Sequence, residues 1–300
     1  MSDEIGPGTF AGGSLLVVAF EGWNDAGEAA SGAARAIRDQ LQLQPIAELE
    51  PEDYFDYQFN RPTVSIDEAG DRVLEWPSVT LYGPGPDSSP TGSGLAVHVL
   101  LGTEPSRGWK TFAAEVIDAI EAVDVTAVVF LGAMLADVPH TRPISVFASS
   151  ENPAVRDRFE LERSTYEGPV GILSVLSAAA EAAGIPTLSI WASVPHYVHN
   201  APSPKAMLAL IERLEEFVDL DIARGTLVED SAAWESGIDA LADDDDDMRA
   251  YITQLEQARD TVDSPEASGE AIAEEFERYL RRRDGRDGGR ADGRGSGPGR

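Results

Sequence analysis

Four short clusters of polar residues in this 300-residue chain have the composition of acid–base or anion-binding sites. Glu21, Asn24 and Asp25 follow an apolar run from Leu15 to Phe20. Thr141 and Arg142 precede a second apolar segment, Tyr166 and Glu167 precede a helix-like stretch, and His196 and Tyr197 follow the last apolar run. A carboxylate beside a histidine makes a general acid–base pair, and a guanidinium holds a carboxylate or phosphate in a two-pronged bond. Glu21, Asp25, Arg142, Glu167 and His196 are therefore the catalytic candidates, and Asn24, Thr141, Arg142, Tyr166 and Tyr197 the ligand-binding ones. Each also has an architectural reading: Asn24 and Asp25 as helix caps, Arg142 paired with Glu21 or Glu167, His196 and Tyr197 packed in place. Taken singly, the architectural reading is favoured, because caps and structural ion pairs outnumber catalytic groups.

Other chemical signatures are missing. No Gly-x-Gly-x-x-Gly opens a helix, and neither the phosphate-loop pattern nor a Gly-x-Ser-x-Gly elbow occurs. With no cysteine, a disulfide framework, a thiolate nucleophile and a Cys-based zinc site are excluded. Of the histidines at 98, 140, 196 and 199, the pair flanking Tyr197-Val198 reads as aromatic packing rather than metal ligation. Neither a cofactor nor a metal is expected.

The elements that must position these residues follow from the apolar pattern. Leu15 to Phe20 is apolar without alternation, the mark of a strand covered on both faces, usually in a parallel sheet. Val125 to Met134, Leu95 to Leu101 and Thr187 to Ala192 read as strands too. Helices are expected over Ala26–Leu43, Trp109–Val123, Asn152–Phe159, Val170–Ala183 and Pro204–Leu220, with Gly184 and Pro186 ending the fourth. Ile46–Glu50 and Ile144–Ala148 are short strands, and Arg72–Trp76 with Ser78–Tyr82 reads as a hairpin or bent edge around Pro77. The Gly/Pro/Ser-rich stretch from 83 to 94 is a long loop, functional or disordered. Strands alternating with helices argue a three-layer α/β/α domain on a mixed, largely parallel sheet. Strand-end loops of one sheet can then converge the polar clusters on one edge, where open sheets place ligands.

Charge bounds the partners. The net charge of −30, with only two lysines, argues against nucleic acid, which requires clustered cations. No run approaches the roughly 20 apolar residues of a membrane helix, and the acidic start lacks the basic region of a signal peptide, so a cytoplasmic location is expected. Composition divides the chain into a lead-in (1–13), an α/β core (14–220), an acidic helical appendage (221–283) and a disordered tail (284–300). Residues 243–280 carry thirteen acidic against three basic side chains, which reads as a solvated block.

Glu21-Gly-Trp-Asn-Asp-Ala-Gly27, Thr141-Arg-Pro143, Tyr166-Glu-Gly-Pro169 and Trp191-Ala-Ser-Val-Pro-His-Tyr-Val198 together resemble the proteasome assembly chaperone 2 family in its actinobacterial and archaeal form, over roughly residues 12–220. The resemblance implies a phosphorylase/hydrolase-like fold and a non-enzymatic, chaperone-like assembly factor. It would bind protein partners, proteasome-related ones among them, and form a homo-oligomer, a trimer by analogy. It also implies docking through a C-terminal hydrophobic-Tyr-x tail, from which this chain departs: it ends Gly297-Pro-Gly-Arg300, and Arg278-Tyr279-Leu280 is internal. The alternative is a small-molecule hydrolase or transferase with a strand-end pocket around Asp25, Arg142 and His196.

Overall fold

Every position from Leu15 to Phe20 is apolar because the strand has a separate core on each side. A computed structural model of the protein describes Phe10 and residues 12–49, 51–67, 69–85 and 94–262. The chain runs β1 (Ser14–Glu21), α1 (Ala29–Gln40), β2 (Gln44–Leu49), β3 (Thr63–Ile66), β4 (Arg72–Glu75), β5 (Val79–Gly83), β6 (Ala96–Thr103) and α2 (Trp109–Glu121). It continues through β7 (Ala127–Ala136), β8 (Val146–Ser149), α3 (Pro153–Phe159), α4 (Ile172–Ala182), β9 (Thr187–Pro195), α5 (Pro204–Phe217), α6 (Leu227–Asp243) and α7 (Asp246–Val262). The described residues divide into two compact units, one ending at Asp244 and the other beginning at Asp245.

Seven strands of the first unit form one sheet in the order β2-β5-β6-β1-β7-β9-β8. The four central strands, β6, β1, β7 and β9, are parallel; β5 and β8 are antiparallel to their inner neighbours, and β2 is antiparallel to β5. Leu15, Val17 and Ala19 of β1 pack with α1, α3 and α5, whereas Leu16, Val18 and Phe20 pack with α2 and α4. This is the expected α/β/α sandwich with a mixed sheet.

Small residues let the layers approach. Ala29, Ala30, Ala33 and Ala34 are fully buried along α1. A Cβ at Gly102 of β6 would collide with the Ser78 carbonyl, and one at Gly132 of β7 would lie 2.7 Å from the Trp191 ring. Pro45 lies in the edge strand β2, where a missing amide costs little. Phe10, within the expected lead-in, is fully buried edge-on against Phe159, with ring centroids 5.6 Å apart.

Two elements differ from the sequence reading. Arg72–Trp76 does not pair with Ser78–Tyr82; β4 pairs with β3, an element the apolar pattern did not reveal. Asp67 accounts for this, since its carboxylate accepts the amides of Ala69 and Asp71, both at 2.9 Å, and Gly70 adopts φ 86, closing a tight turn. β5 instead joins the main sheet beside β6. The second difference is α6, which packs on α5 inside the first unit, beyond the composition break at 220.

In the second unit, α7 is capped by Asp245, whose carboxylate accepts the amides of Asp247 at 3.0 Å and Met248 at 3.1 Å. Most of the lead-in, the centre of the 83–94 loop, the Arg278-Tyr279-Leu280 segment and the tail lie outside the described residues.

Candidate functional site

Strand β1 ends where its neighbours' connections diverge, the place at which open α/β sheets usually leave a ligand crevice. Here the chain closes that crevice with its own turn. Asp25 forms an isolated bridge with Ala133 of β7, and the Ala133 amide donates to the Asn24 carbonyl at 2.8 Å. The buried Asn24 side chain donates to Glu104 at 3.4 Å and fills the space beside Gly171, where any Cβ would strike it. Glu104 also accepts the Ile172 amide at 2.9 Å at the start of α4. Asn24 thereby ties β1, β7, the end of β6 and the start of α4 together.

Asp25 is an α1 cap in function, although it precedes the helix by a 3-10 turn over Ala26–Glu28. Its Oδ1 accepts the Ala30 amide at 2.8 Å and the Ser31 amide at 3.0 Å. Burial pushes the carboxyl above its ordinary range, and the bonds from Ser31 and Ala30, with the Arg35 charge, only partly offset this. Glu21, half-exposed, pairs with Arg35 and accepts from Thr103 Oγ1 at 3.3 Å.

A different polar group gathers at the carboxyl ends of β7 and β9. The fully buried His140 stacks edge-on against Tyr197 and Trp234. The Tyr197 hydroxyl takes the His140 backbone amide at 2.7 Å and lies 2.8 Å from its Nδ1, while Nε2 is 3.0 Å from Asp239 Oδ1 on α6. A carboxylate can only accept, so Nε2 carries hydrogen toward Asp239. Lys205 of α5 reaches the His140 carbonyl at 2.6 Å and pairs with Glu235 of α6. These contacts clamp α6 onto the rest of the first unit.

His196 places Nδ1 3.2 Å from Asp137 Oδ1, and Arg142 Nη1 donates to Thr141 Oγ1 at 3.4 Å. Tyr166 and Glu167 are exposed in the loop before α4, where the Tyr166 hydroxyl donates to the Pro169 carbonyl at 2.9 Å. Thus the structure gathers Asn24 and Asp25 with Glu104, and His196 and Tyr197 with Asp137 and His140. It leaves Tyr166 and Glu167 on the surface. Among the described residues no group of three or more His, Asp or Glu side chains is placed to hold a metal ion.

A cleft of about 400 Å³ lies elsewhere, between α1, β5, β6 and the β3–β4 hairpin. Its charged and aromatic lining includes Glu21, Arg35, Arg61, Glu75, Trp76 and Tyr82. Of the sequence candidates, only Glu21 reaches it. Glu104, His140, Lys205, Asp239 and Arg61 were not singled out by residue pattern. Glu104 had one signal, its place directly after the parallel strand β6, much as Glu21 ends β1.

A family model of the PAC2 family matches residues 19–242. The chain belongs to the PAC2 family. The match runs through α6, so the PAC2 family unit includes the helix that His140 and Lys205 hold. Among solved structures, a PAC2 family protein from Streptomyces avermitilis is 41% identical, with TM-score 0.71, over 79% of this chain and 99% of that one. A proteasome-assembly chaperone homologue from Mycobacterium tuberculosis is 39% identical, with TM-score 0.70 and the same coverage. An archaeal proteasome activator from Pyrococcus furiosus, 14% identical over 77% of this chain and 94% of that one, shares the fold at TM-score 0.60. No curated protein matches the chain.

Proposed function

We propose that this PAC2 family protein is a non-enzymatic, chaperone-like assembly factor that works in the cytoplasm as a homo-oligomer, a trimer by analogy, and binds proteasome-related proteins. The observation that carries the reading is the contrast between occupied polar groups and uncovered apolar ones. Asn24, Asp25 and Glu104 hold the chain together, while Val64, Ile66, Val73, Leu74 and Trp76 of the β3–β4 hairpin are each at least 40% exposed. Trp23, Met134 and Leu135, at the carboxyl ends of β1 and β7, are also exposed. Apolar surface left uncovered on a folded protein marks an interaction site. Its kinship with the Mycobacterium tuberculosis homologue points the partner toward the proteasome. On this reading Thr141, Arg142, Tyr166 and Tyr197 shape the fold or the interface.

The full tagged chain, mixed with purified proteasome α- and β-subunits from the same cells at moderate salt, tests this. Moderate salt suppresses nonspecific attraction to a −30 chain. A stoichiometric complex on size-exclusion chromatography with mass detection is expected, together with faster ring assembly. Free protein and unchanged assembly would overturn the reading. Among the described residues no helix is long and apolar enough to cross a membrane.

A further inference from the structure

We infer that the cleft under the β3–β4 hairpin is a binding site for a small ring-bearing acid that also carries hydroxyl or amine donors. This goes beyond the assembly reading, and no partner protein is needed for it. The cleft's volume of about 400 Å³ lies within the usual range of small-molecule sites, roughly 300–1,000 Å³.

Its lining is unusual for this chain. Cations are scarce, 23 against 53 acidic residues, yet Arg35, Arg38 and Arg61 all face one cleft whose acidic side chains are Glu21 and Glu75. The lining alone carries three cations against two carboxylates, and Asp39, paired with Arg38, brings the group to about neutral in a strongly negative protein, so a small anion meets less repulsion here than over the rest of the surface.

The three guanidiniums differ in availability. Arg35 is engaged by Glu21, and Arg38 by Asp39 at 2.8 Å, with its guanidinium 5.2 Å from the Tyr82 ring centroid. Arg61 has no hydrogen-bond or ion-pair partner among the described residues, so its fork is open to a carboxylate or phosphate. Two aromatic side chains, Trp76 and Tyr82, flank the same space. Trp76 is half-exposed yet held edge-on by Tyr57 at 4.8 Å between ring centroids, which presents its ring as a fixed wall for a planar ligand.

The carboxylates set the remaining requirement. Glu21 and Glu75 only accept hydrogen bonds, so they repel a ligand that is anionic throughout and favour one with donors at a distance from its acid group. Nucleoside monophosphates and aromatic amino acids share that chemistry, and the measurement separates them.

The full-length protein is titrated with adenosine 5′-monophosphate, L-tyrosine and inorganic phosphate, followed by ligand-observed NMR and calorimetry at moderate salt. One ring-bearing acid is expected to bind more tightly than phosphate, and which one does so identifies the source. Arg61→Ala is expected to weaken that binding about tenfold or more, as loss of a charge-assisted hydrogen bond does, with an unchanged melting temperature. Trp76→Ala should weaken it as well, separating the ring wall from the charge. No binding by either ring-bearing acid at millimolar concentration overturns the proposal. So does phosphate binding as tightly as both, or affinity indifferent to the two substitutions.

Discussion

The carboxyl end of β1 and the cleft beneath the hairpin lie on the two sides of Glu21 and treat polar side chains in opposite ways. Toward β7, Asn24, Asp25 and Glu104 are held by backbone amides and by one another, and the crevice at the sheet's divergence is closed. Toward β5, Arg61 and Trp76 line the cleft, and Arg61 has no hydrogen-bond or ion-pair partner among the described residues. Within the polar motif Glu21-Gly-Trp-Asn-Asp, Asn24 and Asp25 therefore form a joint in the architecture, and of its residues only Glu21 reaches the cleft. A short, dense polar motif after a buried strand is not by itself a site of chemistry; what decides is whether its acceptors face amides or solvent.

Several substitutions would break or sharpen this contrast. The largest effect is expected at the sheet itself: Gly102→Ala should cost about 3 kcal/mol or more, because its Cβ meets the Ser78 carbonyl and β5 must move away. Chemical denaturation would show it, and near-wild-type stability would mean that β5 tolerates displacement. Asp25→Ala should cost about 2 kcal/mol by uncapping α1, whereas Asp25→Asn keeps an acceptor for Ala30 and Ser31 and removes a charge held at a burial penalty. Its folded carboxyl titrates above the unfolded value, so the native state binds the extra proton, and this residue's contribution falls as pH rises through that window. Asn at 25 should therefore match or exceed wild-type stability at neutral pH; equal losses for Ala and Asn would mean that the charge itself holds the joint.

Asp239→Ala should loosen α6 by about 1–2 kcal/mol, the scale of losing a hydrogen bond to a charged group, read as faster amide exchange along residues 227–243. Unchanged exchange would leave Lys205 and Trp234 as the real clamp. A smaller effect is expected at His98, whose Nδ1 lies 3.1 Å from Ser14 Oγ and whose ring burial keeps neutral to lower pH than usual. The unfolded state then binds more protons, and stability attributable to this residue is lost as pH falls below about 6.5. His98→Gln should flatten that part of the stability profile; an unaltered slope would assign it to other groups. Arg61→Ala should be silent in melting experiments, since it removes no hydrogen bond or ion pair among the described residues.

The parallel centre of the sheet was legible because burial on both faces writes itself as uninterrupted apolar runs in β1, β6, β7 and β9. The hairpin partner β3 was not, since it has only four residues and follows Arg61-Pro62, and its apolar side chains are exposed. Helix α6 carries a weak apolar stripe, with Val228 and Leu241 exposed and acids at 229, 230, 235 and 239, and is held instead by Asp239 and Glu235 through long-range partners. Composition therefore placed a break at 220, whereas the spatial division falls at 244. The caps at Asn24 and Asp25 were readable as residue types. The partners of Asn24, Glu104 and Gly171, were not, because they stand 80 and 147 positions further along the chain.

The two-sided burial of β1 leaves it with an alignment problem. A strand with one wet face declares its register by polarity, because slipping one residue would expose its apolar set. Leu15 to Phe20 would remain apolar on both sides after such a slip. Alignment must then be enforced by shape, and the chain supplies fiducial marks: Gly102 seated against Ser78, Gly132 beneath Trp191, and Asp25 bridged to Ala133. These positions work as a vernier for the sheet, and errors there would yield molecules with native composition in the core but the wrong side chains meeting.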